Sequence, residues 1–305
     1  ADSCVVSRQP LVVGASQGKQ VMQILITGAN GQLGHELVRA TVAAGHEVVA
    51  TSHETLDITD KLAVDAAIMA ARPDVVIHAA AWTAVDACES DPDKAMLVNG
   101  TATKYVADAA HAVGAHVVYI STDYVFDGSK TSAYEEGDTP NPQSVYGSSK
   151  LAGEQALGAT DAIVRIAWVC GFYGGNMVKT ILRLAEQPQL KFVDDQIGNP
   201  TFADDAAEMI VRIATEKRSG TWHVTNQGDV SWYEFAREVL MAAGFDANKV
   251  APIKTHELQP PRPAKRPFNS VLNNGSLKRA GIELLPDFRV PLARLVSQIQ
   301  RNERG

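Results

Sequence analysis

The sequence predicts an α/β protein in which a doubly wound, Rossmann-like parallel sheet is followed by a smaller C-terminal lobe. Three observations support this fold. Short apolar runs alternate with helical patterns between residues 22 and 167, the first run ends in a glycine-rich turn, and the alternation stops after residue 167. Strands and helices that alternate at this spacing form right-handed crossover units around a parallel sheet.

The composition is that of an ordinary globular chain. Its 305 residues carry a net charge of −7, so we do not expect a nucleic-acid surface. No apolar run approaches the roughly 20 residues that a membrane helix needs. Three cysteines, Cys4, Cys88 and Cys170, lie far apart and form no CxxC pair. We therefore predict a cytoplasmic protein with no membrane span, disulfide framework or zinc site.

The chain is predicted to divide into three parts. Residues 1–21 interrupt their apolar residues with polar and Gly/Ser stretches, so we expect a mobile extension. A dinucleotide-binding domain covers 22–167, with returning segments at about 202–228. The substrate-binding lobe is discontinuous and combines 168–201 with 229–305. This division would leave a cleft between the domain and the lobe.

The first strand, Gln23–Thr27, runs into a GxxGxxG turn, Gly28 to Gly34, and then into a predicted helix over 32–44. Glycines in this position let backbone amides at a helix N-terminus approach a pyrophosphate. The pattern alone does not exclude an ordinary loop. The next strand, Glu47–Thr51, lacks the terminal acid that usually binds the adenine ribose of NAD, so NADPH is allowed.

Residues that could contact a ligand follow the third and fourth predicted strands at their carboxyl ends. A strand over 73–78 leads into three alanines, which would suit either a flat ring against the backbone or tight packing. A helix over 92–113 carries Asn99, either a surface residue or a buried bridge. The strand over 116–120 brings Thr122 to the edge where parallel sheets bind ligands.

Tyr146 and Lys150 are separated by four residues, which places the phenol and the ammonium one turn apart on one helix face. A tyrosine can donate a proton to a ketone, and a neighbouring cation should lower its pKa. The hydroxyl of Thr122 would complete a trio suited to carbonyl reduction. The alternative is a tyrosine and a lysine on a solvated helix face.

Beyond the strand over 162–167 the pattern becomes irregular. Residues 168–175 and 193–201 are predicted as loops, and one further strand is expected over 221–224. Helical periodicity predicts helices over 177–184, 203–214 and 232–243, and a final helix near 292–301.

The glycine turn, the Ser121-Thr122-Asp123-Tyr124 segment and the YxxxK pair together resemble the extended short-chain dehydrogenase/reductase family. Further segments resemble the dTDP-4-dehydrorhamnose reductases of that family, namely 56–59, 79–86, 194–201 and 266–270. The resemblance runs from residue 22 to the last helix. It implies reduction of the C4 ketone of dTDP-4-dehydro-β-L-rhamnose by NADPH or NADH to dTDP-L-rhamnose, with Tyr146 as the proton donor.

The resemblance also implies the roles of individual residues. Catalysis falls to Thr122, Tyr146 and Lys150. The coenzyme would contact Gly28, Gly31, Gln32, Leu33, Gly34, Asp57, Ile58, Ala79, Ala80, Ala81 and Asn99, with Tyr146 and Lys150 at its nicotinamide end. The sugar nucleotide would contact Thr83, Val85, Asp86, Thr122, Asp123, Tyr124, Tyr146, Trp168 and Asn176, although Trp168 could instead be a core residue.

No metal ligand is predicted from the sequence, because Asp194-Asp195 has no further oxygen donors in view and is typical of a turn. The resemblance alone allows a homodimer and a Mg²⁺ ion at its interface.

Two other functions fit the same motifs. One is another nucleotide-sugar epimerase or reductase of the family, and an epimerase would show no net coenzyme oxidation. A dehydratase would need a second acid beside Thr122, whereas Asp123-Tyr124 supplies one. The other is a non-catalytic regulatory subunit resembling that of methionine adenosyltransferase. The intact trio favours catalysis.

Overall fold

A computed structural model of the protein describes residues 20–304. The strands are β1 (Gln23–Thr27), β2 (Glu47–Thr51), β3 (Val75–His78), β4 (His116–Thr122), β5 (Ala162–Ile166), β6 (Val169–Cys170), β7 (Leu190–Val193), β8 (Ile197–Gly198), β9 (Thr201–Phe202), β10 (Gly220–His223), β11 (Val230–Ser231) and β12 (Val250–Ile253). The helices are α1 (Gln32–Ala43), α2 (Lys61–Ala71), α3 (Val85–Ser90), α4 (Pro92–Met96), α5 (Ala102–Ala112), α6 (Val145–Gln155), α7 (Met177–Arg183), α8 (Ala203–Thr215), α9 (Trp232–Ala242), α10 (Gly275–Arg279) and α11 (Arg289–Arg304).

Six strands form one sheet in the order β10, β5, β4, β3, β1, β2, and all neighbours are parallel. From β1 the chain passes to β2 on one side and then to β3 on the other. The strand order therefore reverses between β1 and β3, and ligands bind at the carboxyl ends of such a pair. The predicted doubly wound parallel sheet is confirmed.

Both faces of the sheet are covered by helices. In β1, Ile24 and Ile26 pack in a core that includes residues of α1 and α8, whereas Leu25 packs in a core with residues of α2 and α5. Successive side chains of a strand point to opposite faces, which explains this alternation. Because the sheet is buried on both sides, its edge at the carboxyl ends is the part left open to ligands.

A separate hydrophobic core lies in the C-terminal half. It is built from residues of α7, α9 and α11 with the short strands, and Phe235 and Phe288 are fully buried within it. Its members come from 170–202 and 230–299. Apart from Phe202, these residues belong to the segments predicted for the substrate-binding lobe, 168–201 and 229–305, which we call the second lobe.

The structure differs from the predicted elements at several points. The helix expected over 92–113 is divided by a π-helical turn, Leu97–Thr101. The last helix begins at Arg289 rather than near residue 292, because Pro291 is tolerated in the first turn of a helix. The strands β6, β7, β8, β9, β11 and β12 and the helices α3 and α10 were not predicted, because elements of two to six residues are too short to show a periodicity. The predictions of loops over 168–175 and 193–201 are therefore wrong at β6 and β8.

Two predictions concern the ends and the environment of the chain. Residues 1–19 of the predicted extension lie outside the described residues. Within 20–304, no helix is long and apolar enough to cross a membrane.

Candidate active site

Two cavities meet at the carboxyl ends of β1 and β3. One of about 420 Å³ extends towards the second lobe, and the other of about 400 Å³ lies among the glycine turn, the end of β2 and α4. They share Gly28, Gly31, Ala79 and Ala81. An elongated ligand lying across these four residues could therefore occupy both cavities.

The structure brings most of the predicted site residues to these cavities. The first, which we call the active cavity, is lined by Gly28, Gly31, Gln32, Leu33, Gly34, Ala79, Ala81, Thr83, Val85, Thr122, Asp123, Tyr124, Tyr146, Lys150 and Trp168. The second, which we call the adenosine cavity, is lined by the predicted residues Gly28, Gly31, Ile58, Ala79, Ala80 and Ala81.

The glycine turn is packed too tightly for larger residues. Gly28 has a φ of +69°, and a Cβ there would lie 2.7 Å from the backbone nitrogen of Ala80. A Cβ on Gly34 would lie 2.1 Å from the carbonyl oxygen of Gly28. Gly31 caps α1 without a side-chain hydrogen bond, and the first turn of α1 contains no acid. This helix N-terminus therefore fits a pyrophosphate.

Tyr146 and Lys150 are both buried on α6, whose N-cap Ser144 accepts a 3.1 Å hydrogen bond from the backbone of Gly147. The Lys150 ammonium donates to the carbonyl oxygen of Ile120 at 2.6 Å. Burial lowers the pKa of Lys150 to about 7, against the opposing effect of Glu154. Near neutral pH this amine can therefore carry or release a proton.

Burial raises the pKa of the Tyr146 phenol well above its usual value, and a hydrogen bond with Thr122 opposes this effect. We expected Lys150 to lower the pKa of the phenol. In the free protein burial dominates, since removing the phenol from water disfavours the phenolate. The phenol is consequently protonated at neutral pH.

Thr122 ends β4 and places its hydroxyl beside Tyr146. This hydroxyl donates to a carboxylate oxygen of Asp123 at 3.0 Å and accepts from the backbone of Tyr124 at 3.2 Å. Burial raises the pKa of Asp123 to about 6, although hydrogen bonds with Ser270 and Thr122 oppose the shift. Hydrogen bonds among Thr122, Asp123 and Tyr124, together with one from the distant Ser270, thus hold the strand end in place.

Trp168 lines the active cavity, but one face of its ring is already covered. Its indole stacks on that of Trp232 with centroids 3.5 Å apart and planes 6° from parallel. Trp168 has a φ of +45°, and Trp232 also lines the cavity. Sequence reasoning missed Trp232, because a tryptophan that opens an amphipathic helix is typical of a core residue.

Asn99 lies in the π-helical turn and lines neither cavity. Its amide donates to the carbonyl of Trp82 and to the hydroxyl of Ser149, both at 3.0 Å, and accepts from the backbone of Trp82 at 2.8 Å. The structure thus places Asn99 as a buried bridge between the loop after β3 and the helix that carries Tyr146.

Gln32 and Asn176 bind each other through their side chains. The Asn176 amide donates to the Gln32 carbonyl oxygen at 2.7 Å, and the Gln32 amide donates to the backbone of Val169 at 2.9 Å. Asn176 also caps α7 and does not line the active cavity. This pair therefore connects the glycine turn with the second lobe.

Two predicted carboxylates are not among the residues that line the cavities. Asp57 accepts from the hydroxyl and the backbone of Thr59 at 2.7 and 2.9 Å, and it does not line the adenosine cavity. Asp86 accepts from Arg266 at 2.8 and 3.0 Å instead of lining the active cavity.

The adenosine cavity contains residues that sequence reasoning did not assign. Ser52 and His53 follow β2, and Lys94 approaches from α4. The backbone of Ala29 donates to Thr51 at 2.9 Å, which ties the glycine turn to the end of β2. No carboxylate lines this cavity, whose wall includes one lysine and one histidine. In the sequence, the absence of an acidic residue at the end of β2 was the feature that indicated a cavity without a carboxylate.

Within residues 20–304, no group of three His, Cys, Asp or Glu side chains is arranged to hold a metal ion. The Mg²⁺ ion between two copies stays a prediction from the resemblance.

Comparison with known proteins agrees with these features. Residues 22–301 match the RmlD substrate binding domain. A dTDP-4-dehydrorhamnose reductase of Burkholderia thailandensis is 43% identical over 289 residues, covering 88% of this chain and 96% of the relative. The solved structure of a dTDP-4-dehydrorhamnose reductase of Clostridium acetobutylicum has a TM-score of 0.88 and 44% identity, covering 92% of this chain and 100% of that one.

A dTDP-4-dehydrorhamnose reductase of Bacillus anthracis, solved in complex with NADP, has a TM-score of 0.87 and 38% identity, covering 92% of this chain and 100% of that one. The chain therefore belongs to the RmlD substrate binding domain family, that of the dTDP-4-dehydrorhamnose reductases.

Proposed function

We propose that this protein reduces the C4 ketone of dTDP-4-dehydro-β-L-rhamnose to the alcohol of dTDP-L-rhamnose, with Tyr146 as the proton donor. The observation that carries the proposal is the convergence of Thr122, Tyr146 and Lys150 in one cavity with the glycine turn. The three residues come from the end of β4 and from α6, next to the switch point between β1 and β3. Family membership supplies the substrate class.

The chain's own residues would handle the ketone and the proton. A bound nicotinamide coenzyme would supply the hydride. The Tyr146 phenol would donate a hydrogen bond to the ketone oxygen, and so would the Thr122 hydroxyl after turning its proton away from Asp123. These two bonds would fix the carbonyl and stabilise negative charge on its oxygen. The phenol would then give its proton to that oxygen, and the Lys150 ammonium would stabilise the phenolate that remains.

The residues around the glycine turn support NADPH as the preferred coenzyme. The adenosine cavity has a lysine, an imidazole and a hydroxyl in its wall and no carboxylate. A carboxylate there would repel the 2′-phosphate of NADPH, whereas these groups can donate hydrogen bonds to it.

The test is reduced-coenzyme consumption with dTDP-4-dehydro-L-rhamnose by the parent and by Tyr146→Phe. Loss of the phenol hydroxyl should lower kcat by about 10²- to 10⁴-fold, because a positioned proton donor contributes that much. Coenzyme affinity should stay within about twofold, since the ring is retained. Tyr105→Phe, on α5 and in neither cavity wall, is the matched control.

Three results would contradict the proposal. Equal rates for Tyr146→Phe and the parent would show that Tyr146 is not the proton donor. Conversion of a UDP-hexose by the parent with no net coenzyme oxidation would identify an epimerase. Absence of any turnover with either substrate would favour the regulatory-subunit alternative.

A further inference from the structure

Asp86, at the start of α3, binds the basic segment 261–266. Its main partner there is Arg266, which is 180 residues further along the chain. Its two carboxylate oxygens accept from the two terminal nitrogens of the Arg266 guanidinium at 3.0 and 2.8 Å. The same carboxylate accepts from Arg262 at 3.3 Å and from the backbone of Ala264 at 3.2 Å. A bidentate pair of this kind fixes the plane of the guanidinium.

Arg266 is held at the edge of the active cavity. Its side chain is 17% exposed and also donates to the carbonyl of Ala264 at 2.9 Å. The guanidinium interacts with the phenol of Tyr124, which lines the cavity. Thr83 and Val85, which precede Asp86 in the chain, line it as well. The clamp formed by Asp86, Arg262 and Arg266 is therefore adjacent to the substrate space.

The charges of the clamp do not cancel. Two guanidinium groups meet one carboxylate, in a chain whose net charge is −7. Arg266 holds the pKa of Asp86 down at about 2, so the carboxylate is ionised at neutral pH. The clamp still has an excess of one positive charge, and Lys265 lies beside it in the chain.

The proposed substrate needs a cation to bind its diphosphate, and no lining residue of the active cavity is available for this role. A nucleoside diphosphate sugar carries a negatively charged diphosphate between its base and its sugar. Lys150 is the one cation among the residues lining the active cavity, and it is placed at the reacting end. Arginine forks match phosphate oxygens in geometry and charge.

We propose that Arg266, assisted by Arg262, binds the diphosphate of the sugar nucleotide and that Asp86 is a positioning residue that holds Arg266 in place. The inference rests on the proposed function for the identity of the substrate. It gives Asp86 an indirect role in place of the direct substrate contact that the resemblance implied.

The test is calorimetric binding of thymidine diphosphate and of thymidine to the coenzyme-saturated protein. Arg266→Gln should weaken thymidine diphosphate binding by about tenfold or more, because charge-assisted hydrogen bonds are lost. Thymidine affinity should not change, since it has no phosphate. Arg262→Gln should have a smaller effect because this side chain is 54% exposed. Arg212→Gln, in an exposed ion pair with Glu216, is the matched control.

Asp86→Ala distinguishes a positioning role from a direct contact. If Asp86 acts through Arg266, Asp86→Ala weakens thymidine diphosphate binding when it is made in the parent protein. The same substitution has no further effect on binding when it is made in the Arg266→Gln variant. An equal effect in both backgrounds would overturn its positioning role.

Unchanged thymidine diphosphate binding in Arg266→Gln, or an equal loss of thymidine binding, would overturn the diphosphate site. Arg266-dependent binding without turnover of the sugar nucleotide would refute the proposed function and leave this inference intact.

Discussion

Replacing Lys150 with methionine should stabilise the protein at neutral pH while removing its activity. Lys150 is 2% exposed, and burial lowers its pKa from the ordinary value of 10.5 to about 7. Between these pH values the unfolded chain binds a proton that the folded protein does not. The contribution of Lys150 to stability is therefore most unfavourable below pH 7 and is relieved as the pH rises towards 10.5.

The size of the effect follows from the two pKa values. Proton linkage at Lys150 costs about 4 kcal/mol at pH ~7 and about 1 kcal/mol at pH ~10. Methionine has a similar length and no charge, but it loses the hydrogen bond to Ile120, worth about 1 kcal/mol at either pH. Lys150→Met should therefore exceed the parent in unfolding free energy by about 3 kcal/mol at pH ~7 and match it at pH ~10.

The assay is urea unfolding of both proteins at the two pH values. Lys104→Met removes an exposed lysine that pairs with Asp108 on α5, so its difference from the parent should be below about 0.5 kcal/mol at both pH values. The reasoning fails if the difference between Lys150→Met and the parent does not narrow as the pH rises.

Three further substitutions test the scaffold of the site. Gly34→Ala should shift the glycine turn, because its Cβ would lie 2.1 Å from the carbonyl oxygen of Gly28; we expect a loss of about 1–3 kcal/mol in urea unfolding and weaker coenzyme binding by fluorescence titration. Glu154→Gln leaves Arg165, bonded to it at 2.6 and 2.9 Å, as a buried unpaired charge, and should cost about 3–5 kcal/mol in the same unfolding assay. Ser52→Asp should lower kcat/KM for NADPH relative to NADH by about tenfold or more, because it adds a carboxylate to the adenosine cavity; an unchanged ratio would contradict the proposed coenzyme preference.

Local patterns were enough to predict the fold and to predict that Gly28, Thr122, Tyr146 and Lys150 lie around one cavity. Gly28 follows a strand and Thr122 ends one, so strand positions alone place both at the ligand-binding edge of the sheet. Tyr146 and Lys150 share a helix face because of their spacing. The glycine turn, the strand end and the helix face each depend on residues close together in the chain.

Short-range patterns could not predict where the polar side chains between these motifs would point. The sequence contains Asp86, Asn99 and Asn176, but it does not reveal whether each faces a ligand or another side chain. The pKa values of Tyr146 and Lys150 could not be predicted from the sequence either, because they depend on how completely the fold excludes water from these side chains.

Strand and helix periodicity act over a few residues, so the parallel sheet, the glycine turn, the strand-end threonine and the Tyr/Lys pair can all be predicted from the sequence. The contacts of Asp86 with Arg266 across 180 residues, and of Asn176 with Gln32 across 144, are visible only in the folded protein. Such pairs form only when the second lobe packs against the sheet, since the distance between residues so far apart depends on the whole fold.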